Sequence, residues 1–240
     1  MIYVVGLGPG GPDQITPRAH AALEKCDIIV GYKAYIELVR PIFNGSKELI
    51  SSSMKNERMR CEEALALSLS GREVGLISSG DPGIYGMAGI MLEVAQGRAE
   101  IEIIPGITAA SSSASILGAP IMHDFAVISL SDLLTPWELI EKRLSAAAEA
   151  DFVICIYNPA SHGRPDHLAR AADILMKKLP RDRITGWVSN AGREGENYGL
   201  TALGELRKAP VDMFCTVIIG NSATRVIAGR MVTPRGYSEN

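Results

Sequence analysis

The sequence predicts an α/β protein made of two consecutive α/β domains with a ligand cleft between them. Short Val- and Ile-rich runs bounded by Gly or Asp alternate with longer helix-compatible segments along the whole chain. That is the pattern of strands buried on both faces and joined by helices. A Gly- and Pro-containing stretch near the middle, Leu117-Gly118-Ala119-Pro120-Ile121-Met122-His123-Asp124, interrupts the alternation and precedes a fresh strand. The 240 residues accommodate two domains, 1–118 and 119–240, and a cleft between two such halves is the usual place for a ligand.

The chain opens on Ile2-Tyr3-Val4-Val5-Gly6, a strand ended by glycine. Thr16-Pro17 reads as an N-cap followed by proline at the first helical position, which starts a helix over Arg18–Lys25. Strands follow at Asp27–Gly31, Glu73–Ile77 and Glu100–Ile104, with helices at Asn56–Ser70, Met87–Gln96 and the small-residue segment Thr108–Ile116. The second half repeats the alternation, with strands at Phe125–Leu130, Phe152–Tyr157, Ile184–Ser189 and Phe214–Gly220 and helices at Pro136–Ala150 and Pro165–Lys178. Helical crossovers between strands imply mostly parallel sheets.

Composition excludes several classes. With 47% hydrophobic and 21% charged residues the chain is not disordered. Twenty-four basic against 27 acidic side chains give a net charge of −3, so there is no general attraction for nucleic acid or anionic membrane. An anionic ligand has to be held by a local basic pocket. No apolar run approaches the roughly 20 residues of a membrane span, and the N-terminal run lacks the basic region of a secretory signal. A cytoplasmic protein with no membrane or nucleic-acid partner is expected. Cys26, Cys61, Cys155 and Cys215 are scattered without metal-finger spacing and read as reduced core thiols. HExxH, a Walker loop and an ordered Ser/His/Asp set are absent, so no metal site is expected.

Glycine-rich segments follow successive strands. Gly6-Leu7-Gly8-Pro9-Gly10-Gly11 matches G-x-G-x-x-G, but Pro9 removes an amide from the loop and no helix starts at Gly11. The acid expected at the end of the second strand is also missing, because Asp27 opens that strand. A dinucleotide site is therefore disfavoured, while a tight turn against some ligand remains. Ser78-Ser79-Gly80-Asp81-Pro82-Gly83-Ile84-Tyr85-Gly86 allows close backbone approach, and Asp81 is an acceptor for hydroxyls or an ammonium; the alternative is a plain Asp-Pro turn. Pro105-Gly106-Ile107-Thr108-Ala109 leads into a helix of small side chains, suited either to close packing or to presenting free N–H groups. In the second half, Ser161, His162 and Arg164 follow Tyr157-Asn158-Pro159, and Arg193 sits in Ser189–Gly195; both loops are either substrate clamps or solvated turns.

Together, Gly6-x-Gly-Pro-Gly, Gly80-Asp81-Pro82-x-x-Tyr85-Gly86 and Pro105-Gly106-Ile107-Thr108-Ala109 resemble the tetrapyrrole (corrin/porphyrin) methylase family over essentially the whole chain. The segment Ser129–Trp137 (SLSDLLTPW), Tyr157-Asn158-Pro159 and the tail Gly229–Tyr237 are similar to its precorrin-3B C(17)-methylating branch. Ser79 departs from the family, many of whose members have a second glycine there. The resemblance implies S-adenosylmethionine as cofactor, with contacts at Pro9, Ser79, Gly80, Asp81, Ile84, Thr108 and Ala109, and at Asn158, Ala191 and Thr216. It implies a homodimer acting on a tetrapyrrole, precorrin-3B or cobalt-factor III, with ring contraction accompanying methylation.

A methyl group on a sulfonium is already electrophilic, so no nucleophilic side chain is required. Contraction needs proton transfers, and His123, Asp124, Ser131 and Asp132 are the candidate acids and bases, the alternative being hinge or capping roles. Arg164, Arg193 and Arg235 are candidate anchors for substrate carboxylates. Two other readings stay open: a methylase acting at a different ring position, and a non-catalytic corrinoid- or nucleotide-binding protein.

Overall fold

β1 (Ile2–Gly6) lies between two parallel neighbours in the first of the three sheets formed among the described residues. The computed structural model describes residues 1–43, 45–53, 56–161 and 163–237. After β1 come α1 (Pro17–Lys25), β2 (Ile28–Tyr32), α2 (Lys33–Phe43), β3 (Glu48–Ser52), α3 (Glu57–Leu69), β4 (Val74–Ser78), α4 (Ala88–Ala95) and β5 (Ile101–Ile104). The five strands run in the order β3-β2-β4-β1-β5, all parallel. Every residue of β1 is buried, and its side chains alternate between two layers. Ile2 and Val4 pack with Cys61, Leu65 and Met91 of α3 and α4. Tyr3 and Val5 pack with Leu23, Ile36 and Val39 of α1 and α2. The Thr16 hydroxyl caps α1 by accepting from the N–H of Ala19 at 3.1 Å, with Pro17 as the first helical residue.

The second unit takes in α5 (Ala109–Leu117) from its second residue onward, then β6 (Gly118–Ala119), β7 (Phe125–Ser129), α6 (Trp137–Glu149), β8 (Val153–Tyr157) and α7 (His167–Leu175). It continues through β9 (Ile184–Ser189), β10 (Asn197–Ala202), β11 (Cys215–Ile219), β12 (Arg225–Ile227) and β13 (Arg230–Val232). Its main sheet has the order β10-β9-β11-β8-β7. Here the expectation of mostly parallel pairing fails. Only β7 and β8 pair in parallel; β11 inserts antiparallel between β8 and β9, and β10 folds back on β9. Ile128, Ile154, Ile156 and Val217 face α6 and α7, while Val153, Cys155 and Ile218 face Ala110, Ala114 and Leu117 of α5.

Compact packing divides the chain at Ala109/Ala110, one helix earlier than the boundary at 118/119 that the sequence predicts. The reason is α5, whose small buried face belongs to the second unit's core. The segment predicted as the boundary lies inside the second unit. Gly118 and Ala119 form β6 and pair in parallel with Met231 and Val232, and the N–H of Thr233 donates to the Ala119 carbonyl at 3.1 Å.

Candidate active site

In the first unit, the loops that follow β1, β4 and β5 meet backbone to backbone. Gly8 and Gly80 form an antiparallel bridge: the N–H of Gly80 donates to the Gly8 carbonyl at 2.7 Å, and that of Gly8 to the Gly80 carbonyl at 3.1 Å. Gly80 needs the left-handed backbone, with φ of 67°. Gly106 is required for a different reason. A Cβ there would stand 2.2 Å from the Gly80 carbonyl oxygen and 2.8 Å from the Gly6 backbone. The Asp81 carboxylate closes the junction, accepting from the N–H of Gly83 at 2.8 Å and from that of Gly106 at 3.1 Å. Asp81 is thus first a tie between two loops, which the sequence reading of it as a free acceptor missed. Two carboxylate oxygens offer about four acceptor positions, so capacity for a ligand hydroxyl remains.

Around this junction Pro9 and Gly80 are buried, Ser79, Asp81, Thr108 and Ala109 half-buried, and Ile84 exposed. Ile84, Tyr85 and Ile107 present apolar surface to solvent beside the glycines. Tyr85 holds a φ of 54°, a strained conformation for a bulky side chain. A glycine junction at the carboxyl ends of adjacent parallel strands, with exposed apolar side chains beside it, suits a nucleoside-bearing cofactor recognised through backbone and shape. The residues present therefore fit S-adenosylmethionine.

In the second unit the predicted residues fall at opposite ends of the main sheet. Thr216 pairs with Tyr157, Cys215 with Ser189, and Ser129 with Tyr157, so Asn158, Ala191, Thr216, Ser131, Asp132, Arg164 and Arg193 all lie near the carboxyl end of β8. Asn158 takes a left-handed φ of 51°, and its side-chain amide donates to the Ser129 hydroxyl at 2.9 Å. The N–H of Ser131 donates to that same oxygen at 3.2 Å. The Tyr157 hydroxyl accepts from the N–H of Ala110 at 2.7 Å, so the amide of the second residue of α5 is taken, and the helix's small residues pack in the core. The Arg193 guanidinium lies 5.9 Å from the Phe214 ring. His162 lies outside the described residues.

His123, Asp124 and Arg235 are elsewhere. They precede β7 or follow β13, and with Asp151, Phe152 and Ser222 they line a cavity of about 370 Å³ at the amino ends of β7 and β8. The five residues of β7, at about 3.3 Å each, keep His123 and Asp124 roughly 15 Å or more from Ser131 and Asp132. The four predicted acid/base residues are therefore two separate pairs, and Arg235 is not beside Arg164. The reason is topological: residues on either side of one strand sit at opposite edges of the sheet.

Asp132 has a partner that sequence reasoning missed. Nε2 of His167 stands 3.0 Å from Oδ2 of Asp132, and Nη1 of Arg164 stands 3.8 Å from Oδ1. Arg164 also donates through Nε to the Ser161 hydroxyl at 3.1 Å. The His167 imidazole beside it holds the Asp132 carboxyl below the usual carboxylate range, with Arg164 adding a smaller pull. The signal available in the sequence was the placement of both residues after neighbouring strands; their 35-residue separation hides the pairing, which follows only from the order of β7 and β8. Among the described residues no cluster of His, Cys, Asp and Glu is arranged to hold a metal ion.

The comparisons agree with this architecture. Residues 1–207 match the family model of the Tetrapyrrole (Corrin/Porphyrin) Methylases. A protein of Salmonella typhimurium named "Probable cobalt-factor III C(17)-methyltransferase" is 52% identical over 99% of this chain and 100% of its own length. A "Cobalt-factor III methyltransferase" of Priestia megaterium is 45% identical over 98% of this chain, which spans 45% of that longer protein. The crystal structure of the methyltransferase CobJ superposes with a TM-score of 0.90 at 36% identity, covering 97% of this chain and 99% of that one. On the family match and the end-to-end identity, the chain belongs to the tetrapyrrole (corrin/porphyrin) methylases, methyltransferases whose methyl donor is S-adenosylmethionine.

Proposed function

We propose that the protein methylates carbon 17 of cobalt-factor III or precorrin-3B, with contraction of the macrocycle. The observation that carries this reading is the identity of 52% along the whole length of a relative named for that reaction. Bound S-adenosylmethionine supplies a methyl group already activated on a sulfonium. The chain's own task is to hold donor and ring carbon in line and to exclude water. We assign Pro9, Ser79, Gly80, Asp81, Ile84, Thr108 and Ala109 of the first unit and Asn158, Ala191 and Thr216 of the second to the cofactor. Arg164 and Arg193, at the carboxyl end of β8, are assigned to substrate carboxylates. No described helix is long and apolar enough to cross a membrane, and we take the enzyme as a cytoplasmic homodimer, the state the family resemblance implies.

The test is incubation with cobalt-factor III, or with precorrin-3B, and labelled S-adenosylmethionine. One label per macrocycle, located at carbon 17 by NMR of the product, is the expected result. Label at another ring carbon, or none with either macrocycle, overturns the reading. Light scattering on the purified protein reports whether it is dimeric.

A further inference from the structure

The Asp132 cluster is more elaborate than a link between two loops requires. His167, the first residue of α7, is buried, and its ring packs edge-on against Trp137 with centroids 4.8 Å apart. The guanidinium of Arg170 covers the same indole at 3.9 Å. The half-buried indole, itself covered by the exposed Arg170, thus packs the buried imidazole, while the Asp132 side chain in front of it is 33% exposed. Next to Asp132, Leu133 and Leu134 are 61% and 95% exposed, an apolar surface of the kind a flat macrocycle covers.

Methylation at carbon has a fixed proton balance. Transfer from a sulfonium to a neutral ring carbon forms one carbon–carbon bond with an electron pair of the ring and leaves the macrocycle one positive charge. A proton must then leave the macrocycle, and the electron pair of its broken bond returns to the ring.

We propose, on the methyltransferase reading above, that Asp132 takes up this proton and that His167 is the positioning residue that holds its carboxylate. The geometry distinguishes the two roles: Asp132 is the solvent-facing member and His167 the buried one. The carboxyl is ionised at neutral pH, because His167 first and Arg164 second favour its charged form. A cationic macrocycle is a strong acid and needs no stronger base. The α7 N-terminus, where His167 sits, also favours a neighbouring carboxylate. Among the described residues Arg164 is the other charged group paired with Asp132, and Arg170 lies beyond the indole.

The test uses the intact enzyme with S-adenosylmethionine and cobalt-factor III. Asp132→Asn is expected to lower kcat by about 100-fold or more while the macrocycle KM stays within about threefold. Calorimetric affinity for S-adenosylmethionine should be unchanged. His167→Leu should lower kcat roughly tenfold, and His167→Asn, which keeps a donor toward Asp132, should recover most of that loss. In the substrate-free enzyme, Asp132→Asn should displace the imidazole nitrogen resonances of His167, whose Nε2 stands 3.0 Å from the Asp132 carboxylate. If the wild type transfers methyl and Asp132→Asn does so equally fast, the proposal is overturned. Unmoved imidazole resonances, or His167→Asn as slow as His167→Leu, overturn the positioning role. A wild type that methylates neither cobalt-factor III nor precorrin-3B overturns the proposed function itself, and this assignment with it.

Discussion

The carboxylate of Asp81 accepts the backbone N–H of Gly106 at 3.1 Å, joining the loop after β4 to the loop after β5. Its other oxygen accepts from Gly83, so one side chain sets the shape of the junction where the cofactor is assigned. Removing it leaves two backbone donors without their acceptor. Asp81→Ala is expected to lower unfolding free energy by about 1–3 kcal/mol and to weaken S-adenosylmethionine binding measurably. Asp81→Asn keeps one acceptor and should lie between. Calorimetry and urea unfolding on the same samples separate the two effects; unchanged affinity in Asp81→Ala would remove Asp81 from the cofactor site.

Gly106→Ala tests the backbone junction directly. Its Cβ would stand 2.2 Å from the Gly80 carbonyl oxygen, a backbone atom that cannot swing aside. The loops after β1, β4 and β5 must separate to admit it. A stability loss of about 1–3 kcal/mol or more is expected in urea unfolding, together with loss of cofactor binding. By contrast Gly89→Ala, on the exposed side of α4 with no atom within 4 Å of the added Cβ, should leave stability and binding intact.

Arg193 and Arg235 should behave differently, because the sheet puts them at opposite ends. Arg193→Ala is expected to raise the macrocycle KM by roughly tenfold with a smaller change in kcat, as for a lost carboxylate contact. Arg235→Ala should leave both constants near wild type. Steady-state kinetics on the two variants decide it, and equal effects would contradict the separation.

The four thiols supply a pH prediction. All four are buried, and burial pushes Cys26 and Cys155 up to about 12 and Cys61 up to about 11 from an ordinary value of 9.0. Folded values above unfolded ones mean that the stabilisation is whole below pH 9. It falls as pH rises beyond that, because only the unfolded chain then ionises, until the folded thiols follow near 12. The expected loss is about 1.4 kcal/mol per thiol for each pH unit in the window. Urea unfolding at successive alkaline pH values measures it, and the slope should flatten in a Cys26→Ala, Cys155→Ala variant. At pH 8 a thiol reagent should label the native protein only slowly.

Much of this architecture was legible locally. Eight strands were placed within a residue or two, because a Val/Ile run bounded by Gly or Asp has few other ways to bury itself. Thr16-Pro17 marked the start of α1, and the three glycine segments marked the junction of β1, β4 and β5, since close approach and left-handed backbone restrict the residue type. The elements that escaped had weak local signals. α2 carries Pro41 in its interior, and β3 and β10 are edge strands with mixed exposure and polar side chains. Strand order was not local at all. That β11 lies antiparallel between β8 and β9 is decided by which arrangement buries both faces of the sheet, and no short segment encodes it. The same order decides the chemistry: it sends His123 and Asp124 to one end of the sheet, leaves Ser131 and Asp132 at the other, and brings His167 to within 3.0 Å of Asp132. A residue's type is set by its own position in the chain, but its partners are set by how the strands stack, because burial energy is summed over the whole sheet and not over its pieces.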